Sequence, residues 1–555
     1  MDEMDALIDD LRRQLAEKDK QIEDLQRQIA ERDEKIHELE SRLCQNSSNS
    51  SRPPSTDGFN SPNRSLREKS GRRPGAPNGH PGSHLGIPHA PDETVSHFPA
   101  KCQSCPFLQQ CHQNGDVFKC AEKRYELNVI VKTKVTEHRL LEVTSCPCEF
   151  GEKLKGQFPD NIRAYVQYGD SFAVLAGLLS TYGAVSAMRI HVLLGSLFGV
   201  SISPATILSM VSKCAHNVGP VLETIRKLLA GSDVVHFDET GTHVNGSTQW
   251  VHNSSTGKLT LLTINRKRGK DGMDDNGVLP LFDGTAIHDC WGPYWGYENV
   301  VHAVCLAHLL RELKAIEEFS PGHTWAGMFK RLLIHMKKVK EKAISKGKSV
   351  LSYYYLHKFD TEYDRIMQIA DKECPDPPDQ PDKKGRKKKG KERALIERLI
   401  ALKASVCLFV HDFRVPFDNN QAERDVRNVK TKTKVSGGFR TEDGAKDYVA
   451  VTSFLSTARK HNISVFDALT AAFNGNPEIV LSDGVLNSYM EILWSGLSRW
   501  TMTICHVLFS DSVPLMQQGF LLLLQNIEIR DASICIYTAS IADQHHFALL
   551  QSVHS

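Results

Sequence analysis

Apolar residues in the first 43 positions recur on a seven-residue period. Ile8, Leu15, Ile22, Ile29, Ile36 and Leu43 hold one seam position, Leu11, Leu25 and Leu39 the other, and Lys18 and Arg32 interrupt the second series. Isoleucine at the first position with leucine at the second favours a parallel two-stranded coiled coil, and the basic interruptions cost stability while helping to fix register. The pattern predicts a coiled coil over residues 1–44 through which the chain forms a homodimer. A lone amphipathic helix is the plainer alternative, and six heptads without Gly or Pro weigh against it.

The period then disappears. Residues 45–95, including "NSSNSSRPPSTDG" and "GRRPGAPNGHPGSHLG", are poor in large apolar side chains and predict a flexible basic linker. A helical period returns over 160–230, where "SAMRIHVLLGSLFGVSISPATILSMVSK" predicts a helix, a turn at Gly199, and a second helix capped by Ser203 with Pro204 at its first position. The pair is compatible with a helix-turn-helix that places the residues after Ser203 in a DNA groove. A helical hairpin packed only for stability is the equal alternative.

At 233 the spacing switches from helical to strand-like. "DVVHFDETGTHVNGSTQWVHNSSTGKLTLLTINR" predicts a strand ending near Asp238, a turn at Asn245-Gly246, a second strand around Trp250 and a third from Leu259 to Ile264. A short strand running into Asp289 comes next, then a strand passing into a helix in "NVVHAVCLAHLLREL". Hairpin-linked strands followed by alternating strands and helices predict a mixed α/β sheet over 231–475. Residues 320–405 read as a helical insertion broken by "ECPDPPDQPDKKGRKKKGKER", an exposed basic loop that either meets DNA backbone or is simply solvated. Two amphipathic helices come after the basic turn beyond Lys430. The tail, 482–555, contains no lysine and has no assigned role.

Composition adds limits. At 555 residues and 40% hydrophobic content the chain can bury several cores, and a net charge of +2 matters less than its uneven distribution. The opening "MDEMDALIDD" is too acidic for a signal peptide and no apolar run approaches 18 residues, so the expectation is a cytoplasmic protein without a membrane span. Fourteen cysteines in such a compartment argue against a disulfide framework, and six of them fall between Cys102 and Cys148. Cys102 and Cys105 have the C-x2-C spacing of a structural Zn²⁺ site, and Cys146 with Cys148 would complete it within a small module at 96–155. The second pair has a single intervening residue, so Cys111, His112 and Cys120 remain substitutes, and buried free thiols remain the plainer alternative.

Three carboxylates carry the candidate chemistry. In "PFDNNQAERDVRNVK", Asp418 and Gln421 form a capping box for a helix starting at Asn419, and Glu423 lies one turn inside. Arg427 and Lys430 fall at i+4 and i+7 from it, on one face, and with Arg424 are candidates for holding DNA phosphate. Taken alone, Glu423 is a surface partner for Arg427. With Asp238 and Asp289 at neighbouring strand ends it becomes the third oxygen ligand of a Mg²⁺ or Mn²⁺ site, and two such ions would stabilise both the attacking and the leaving oxygen of a phosphoryl displacement. Glu239, Asp283, Glu298, Asp412 and Asp425 are weaker candidates.

The stretches "VVHFDETGTHVNG", "HDCWGPYW", "CLAHLLREL", "DNNQAERDVRNVK" and "KVSGGFRTEDGA", in that order and with the linker and Cys pairs upstream, resemble the DDE transposases of the IS-sixty-six type over roughly residues 1–480. The resemblance implies a multidomain α/β protein: an N-terminal zipper, a zinc-finger module, a helical DNA-binding region and a ribonuclease-H-like catalytic core. It implies cleavage and joining at insertion-sequence ends, with terminal inverted repeats and target DNA as partners, accessory proteins of the element as further partners, and Asp238, Asp289 and Glu423 as the catalytic acids. Two other readings stay open: a nuclease of the same fold that does not join, and a non-catalytic zipper and zinc regulator with a decayed core.

Overall fold

The computed structural model describes residues 2–43, 90–113, 118, 120–129, 131–142, 155–320, 322–376 and 390–481. Most of the expected linker, Cys146, Cys148, the basic segment 377–389 and the tail lie outside them. Helix α1 (Asp2–Leu43) is unbroken, and the heptad residues from Ile8 to Leu43 named above are exposed along it. Two short helices, α2 (Ala100–Gln103) and α3 (Leu108–Gln113), carry Cys102 and Cys111, and the Cys105 amide donates to the Cys102 carbonyl at 3.0 Å in a tight turn.

Helix α4 (Asp170–Gly177) continues through a π-helical turn, Leu178–Tyr182. Helix α5 (Ala187–Phe198) ends on Gly199 at φ +67°, a conformation that favours glycine. Helix α6 (Pro204–Ala230) begins as the sequence predicts, with the Ser203 hydroxyl accepting from the Thr206 amide. Ile207, Val211, Val218, Ile225 and Leu229 are buried along it. The buried residues form one stripe of α6, and Leu208 is exposed beside it.

Five strands form one sheet: β1 (Val234–Val244), β2 (Ser247–Ser255), β3 (Thr260–Asn265), β4 (Thr285–His288) and β5 (Val301–Val304), in the order β3-β2-β1-β4-β5. The first three pair antiparallel, while β4 runs parallel to β1 and to β5. Asn245 and Gly246 turn β1 into β2 at φ +49° and +75°, as a two-residue hairpin of this twist requires. Strand β1 does not end near Asp238, as predicted, but runs on to Val244. Its hairpin with β2 pairs His236 to Val244, whereas β4 covers only Val234 to His236. Asp238 therefore sits mid-strand, just past the point where the parallel neighbour stops.

Helix α7 (Lys270–Asn276) follows β3, and α8 (Leu306–Phe319) follows β5. The insertion supplies α9 (Trp325–Ile344), α10 (Tyr353–Glu373), α11 (Lys391–Ala401) and α12 (Lys403–His411). It is not a detached lobe: one buried cluster runs from Ile287 and Val304 through Leu309, Trp325 and Phe329 to Tyr363, Leu399 and Phe409. A second cluster joins Val244, Val251, Leu262 and Ile264 of the hairpin strands to Val426, Val429, Tyr448 and Val449. These last residues belong to the segment α13 (Asn420–Asp425), α14 (Arg427–Ser436) and α15 (Glu442–Lys460), with α16 (Val465–Phe473) coming after it. A second unit of the chain begins at Glu478.

The "SGGF" stretch closes α14 on the sheet. Gly438 adopts φ +105°, and a Cβ there would stand 2.3 Å from the His243 carbonyl oxygen. Only glycine permits that approach, which lets the Phe439 amide donate to His243 and the Phe439 carbonyl accept from Asn245, both at 2.8 Å. Among the described residues, no helix is long and apolar enough to cross a membrane.

Candidate active site

The helix bearing Glu423 is fastened to the strand bearing Asp238 by one buried asparagine. Asn419, 2% exposed, donates its side-chain amide to the Phe237 carbonyl at 2.7 Å and meets His236 Nδ1 through its Oδ1 at 2.7 Å. Its backbone amide donates to Cys305 Sγ at 3.2 Å, just before α8. One residue further along β1 is Asp238, and its cross-strand partner Asn253 donates to the Ala422 carbonyl at 3.2 Å. Two amides thus clamp α13 beside Asp238 from both neighbouring strands. The expected capping box does not form: Asn419 is the N-cap, Asp418 Oδ1 accepts instead from the Asn420 amide at 3.1 Å, and Gln421 turns to Asp425. The clamp holds Asn419 in place of a side-chain cap.

Asp289 follows the last residue of β4 and accepts from the Trp291 amide at 3.0 Å. Burial, then the charge of Glu239, raises its carboxyl to about 6, against the pull of the Trp291 amide, Arg268 and Arg398. Asp238 is pushed further, to about 8, by burial, by Glu239, and by Glu423 and Asp289, with Lys430 opposing. Asp238 therefore feels the charges of both Glu423 and Asp289. Among the described residues the three acids are not a group whose ligand atoms all lie within 4.8 Å of one another. Glu423 faces α8, with Arg311 Nη2 at 3.7 Å and His308 Nε2 at 3.9 Å. Burial and the charges of Arg311 and Lys430 lower His308 to about 4, so it is neutral at pH 7.

Over residues 176–447 the chain matches the family model described as Transposase IS66 family. The chain belongs to the IS66 transposase family. Residues 1–86 match a second model, a family of unknown function. No curated protein matches the chain.

In this transposase the "HDCWGPYW" motif acquires a physical meaning. The 3-10 turn Gly292–Gly296 stacks Tyr294 on His288, ring centroids 4.4 Å apart, and the Tyr294 hydroxyl donates to Glu239 at 2.7 Å. Arg268 bonds the other oxygen of Glu239 at 2.7 Å while lying over the rings of Trp291 and Trp250 at 4.0 and 4.8 Å. Glu239, with a side chain 2% exposed, is thus bound on both oxygens and supports the site from behind. Asp425 is likewise engaged: it pairs with Lys460 at 2.8 Å.

The three predicted cations separate. Val426, at ψ −8°, separates α13 from α14. Lys430 acts on Asp238, where its charge opposes the rise of the carboxyl. Arg427 does not share that face: with Arg424, Tyr182, Asn428 and Arg459 it lines a cleft of ≈ 390 Å³ on which Glu423 does not open. Asn419 and Asn253 are not among the residues the sequence singles out, and Glu239 is there only a weaker candidate acid, because each works through a hydrogen bond to a residue far away in the chain. The "DNN" run was the only local signal.

Proposed function

We propose that this transposase is a DDE enzyme that cleaves DNA at the ends of an insertion sequence and joins the freed ends to target DNA. The observation that supports the reading is the placement of Asp238 mid-strand in β1, Asp289 at the end of the neighbouring β4, and Glu423 on a later helix that Asn419 and Asn253 hold against β1 and β2. An antiparallel hairpin sheet extended by two parallel strands supports a ribonuclease-H-like core. The donor set is three hard carboxylates, of which burial holds the Asp238 and Asp289 carboxyls above their ordinary range, and such oxygen ligands fit Mg²⁺ or Mn²⁺. Asp238, Asp289 and Glu423 would hold the ions, which would supply Lewis-acid activation of the attacking hydroxyl and neutralisation of the leaving oxygen.

The chain's own residues bind and orient. Asn419 and Asn253 keep Glu423 in register with Asp238, Trp291 fixes Asp289 through its amide, and Arg268 with Tyr294 holds Glu239 away from the metal-binding role. Lys430 offers a cation to the phosphate next to the acids. The α1 seam, exposed along a single chain, supports pairing of two copies so that two DNA ends are held together, and the Cys102–Cys105 turn supports a structural Zn²⁺ module. Pre-processed ends bearing a free 3′-hydroxyl, incubated with target DNA and Mg²⁺, should yield joined products. Cleavage without any joining would replace the reading with that of a plain nuclease.

Arg424 and Arg427 are placed to hold the backbone of DNA entering from the cleft side. Changing both to alanine should lower the slope of log affinity against log salt by about 2 and weaken binding by about tenfold or more, measured by fluorescence anisotropy. An unchanged slope would take the cleft out of the DNA path.

A further inference from the structure

Within the helical insertion, three side chains of metal-ligating type meet at the ends of three helices. His323 lies just before α9, Cys374 caps the C-terminus of α10, and Glu392 is in the first turn of α11. Cys374 Sγ stands 3.4 Å from His323 Nδ1 and 3.3 Å from Glu392 Oε2, and His323 Nδ1 contacts the same Glu392 oxygen. Among the described residues this is the group of three such ligands whose atoms all lie within 4.8 Å. None of Asp238, Asp289 and Glu423 belongs to it.

We propose that His323, Cys374 and Glu392 form a Zn²⁺ site that clasps α9, α10 and α11 together. Around a tetrahedral Zn²⁺, with bonds of about 2.3 Å to sulfur and about 2.0–2.2 Å to nitrogen or oxygen, neighbouring ligand atoms stand roughly 3.3–3.6 Å apart. The two sulfur distances already match such edges. Thiolate, imidazole and carboxylate together suit Zn²⁺ better than Mg²⁺, which takes oxygen ligands. The Ser320 hydroxyl donates to the other Glu392 oxygen, Oε1, and so orients the carboxylate with Oε2 toward the cluster.

A nucleophilic triad does not account for the geometry. In such a relay the acid holds one imidazole nitrogen and the thiol uses the other, whereas here both contact Nδ1, and Cys374 Sγ is 3.9 Å from Nε2. A divalent ion at this point would take sulfur, nitrogen and oxygen as ligands together. The clasp would pin the two chain ends that flank the basic segment 377–389, since Cys374 and Glu392 lie on either side of it. It would thereby fix where that segment leaves the insertion.

The test uses the full chain carrying Cys102→Ser and Cys105→Ser, which removes the N-terminal thiol pair, with Zn²⁺ alone as the probe. The parent should bind one equivalent more Zn²⁺ than the further variants Cys374→Ser and Glu392→Gln, whose affinity at this site should fall by about a hundredfold or more. A second measurement leaves the site untouched: addition of N-ethylmaleimide to Cys374, mapped by mass spectrometry, should slow by about tenfold or more with Zn²⁺. Equal Zn²⁺ uptake by parent and Cys374→Ser, or labelling of Cys374 at one rate with and without saturating Zn²⁺, overturns the proposal.

Discussion

Asp238→Asn should reduce cleavage of element-end DNA by about a thousandfold or more while leaving the fold intact, a loss of roughly 4 kcal/mol in transition-state stabilisation. The same change should make the metal-free chain more stable at alkaline pH. Burial and Glu239 raise Asp238 from its ordinary value of 3.8 to about 8, so across that window the folded state binds more protons than the unfolded one. Stability contributed by this group is therefore fully present at acid pH and falls as pH rises through about 8. A divalent cation competes with that proton, so Mg²⁺ or Mn²⁺ should raise the melting temperature more at about pH 8 than at about pH 6. In Asp238→Asn the metal-free chain should gain about 1–3 kcal/mol at about pH 8, and the metal-dependent rise should vanish. Differential scanning calorimetry with and without the ion reads both. A metal-dependent rise of wild-type size in Asp238→Asn would show that the ion binds elsewhere and would sink the assignment.

Lys460→Met should produce the largest loss of stability. The Lys460 ammonium, on a side chain 10% exposed, donates to the carbonyls of Thr256 and Leu259 at 2.9 and 2.8 Å, to the Thr260 hydroxyl at 2.6 Å and to Asp425 at 2.8 Å. It ties the end of α15 to the β2–β3 turn and to α13. Its removal leaves the Asp425 carboxylate, 6% exposed, buried without its cation, at a cost of about 3–5 kcal/mol. Denaturant unfolding measures it, and the double change Lys460→Met with Asp425→Leu should recover much of the loss. A cost below about 1 kcal/mol would mean that water reaches the pair. Because α13 also carries Glu423, the weakened variant should lose DNA cleavage on warming before the unaltered chain does.

Both results depend on side chains whose roles differ in how openly the chain announces them. Asp238 stands in "HFDET" at a strand, and its partners come in a recognisable order. Lys460 and Asp425 carry no comparable mark, since their bond joins positions 35 residues apart across a helix and a hairpin. Glu239 looked like a spare carboxylate, yet Arg268 and Tyr294 bind both its oxygens. Arg427 looked like a neighbour of Glu423 on one helical face, yet it lines a cleft that Glu423 does not.

The chain by itself determined what local sterics and hydrogen bonding decide within a few residues. That includes the seven-residue period of α1, the Ser203 cap with Pro204 behind it, the Asn245-Gly246 turn, the strand that runs into Asp289, and the types and order of the acids. The tertiary structure alone decided how far β1 extends, which asparagines clamp α13 to it, which carboxylates are paired and which are left for a cation, and that His323, Cys374 and Glu392 meet. These are contacts between residues as much as 183 positions apart, as between His236 and Asn419. No local pattern encodes them, because burial and charge at each site are set by what the rest of the chain packs against it.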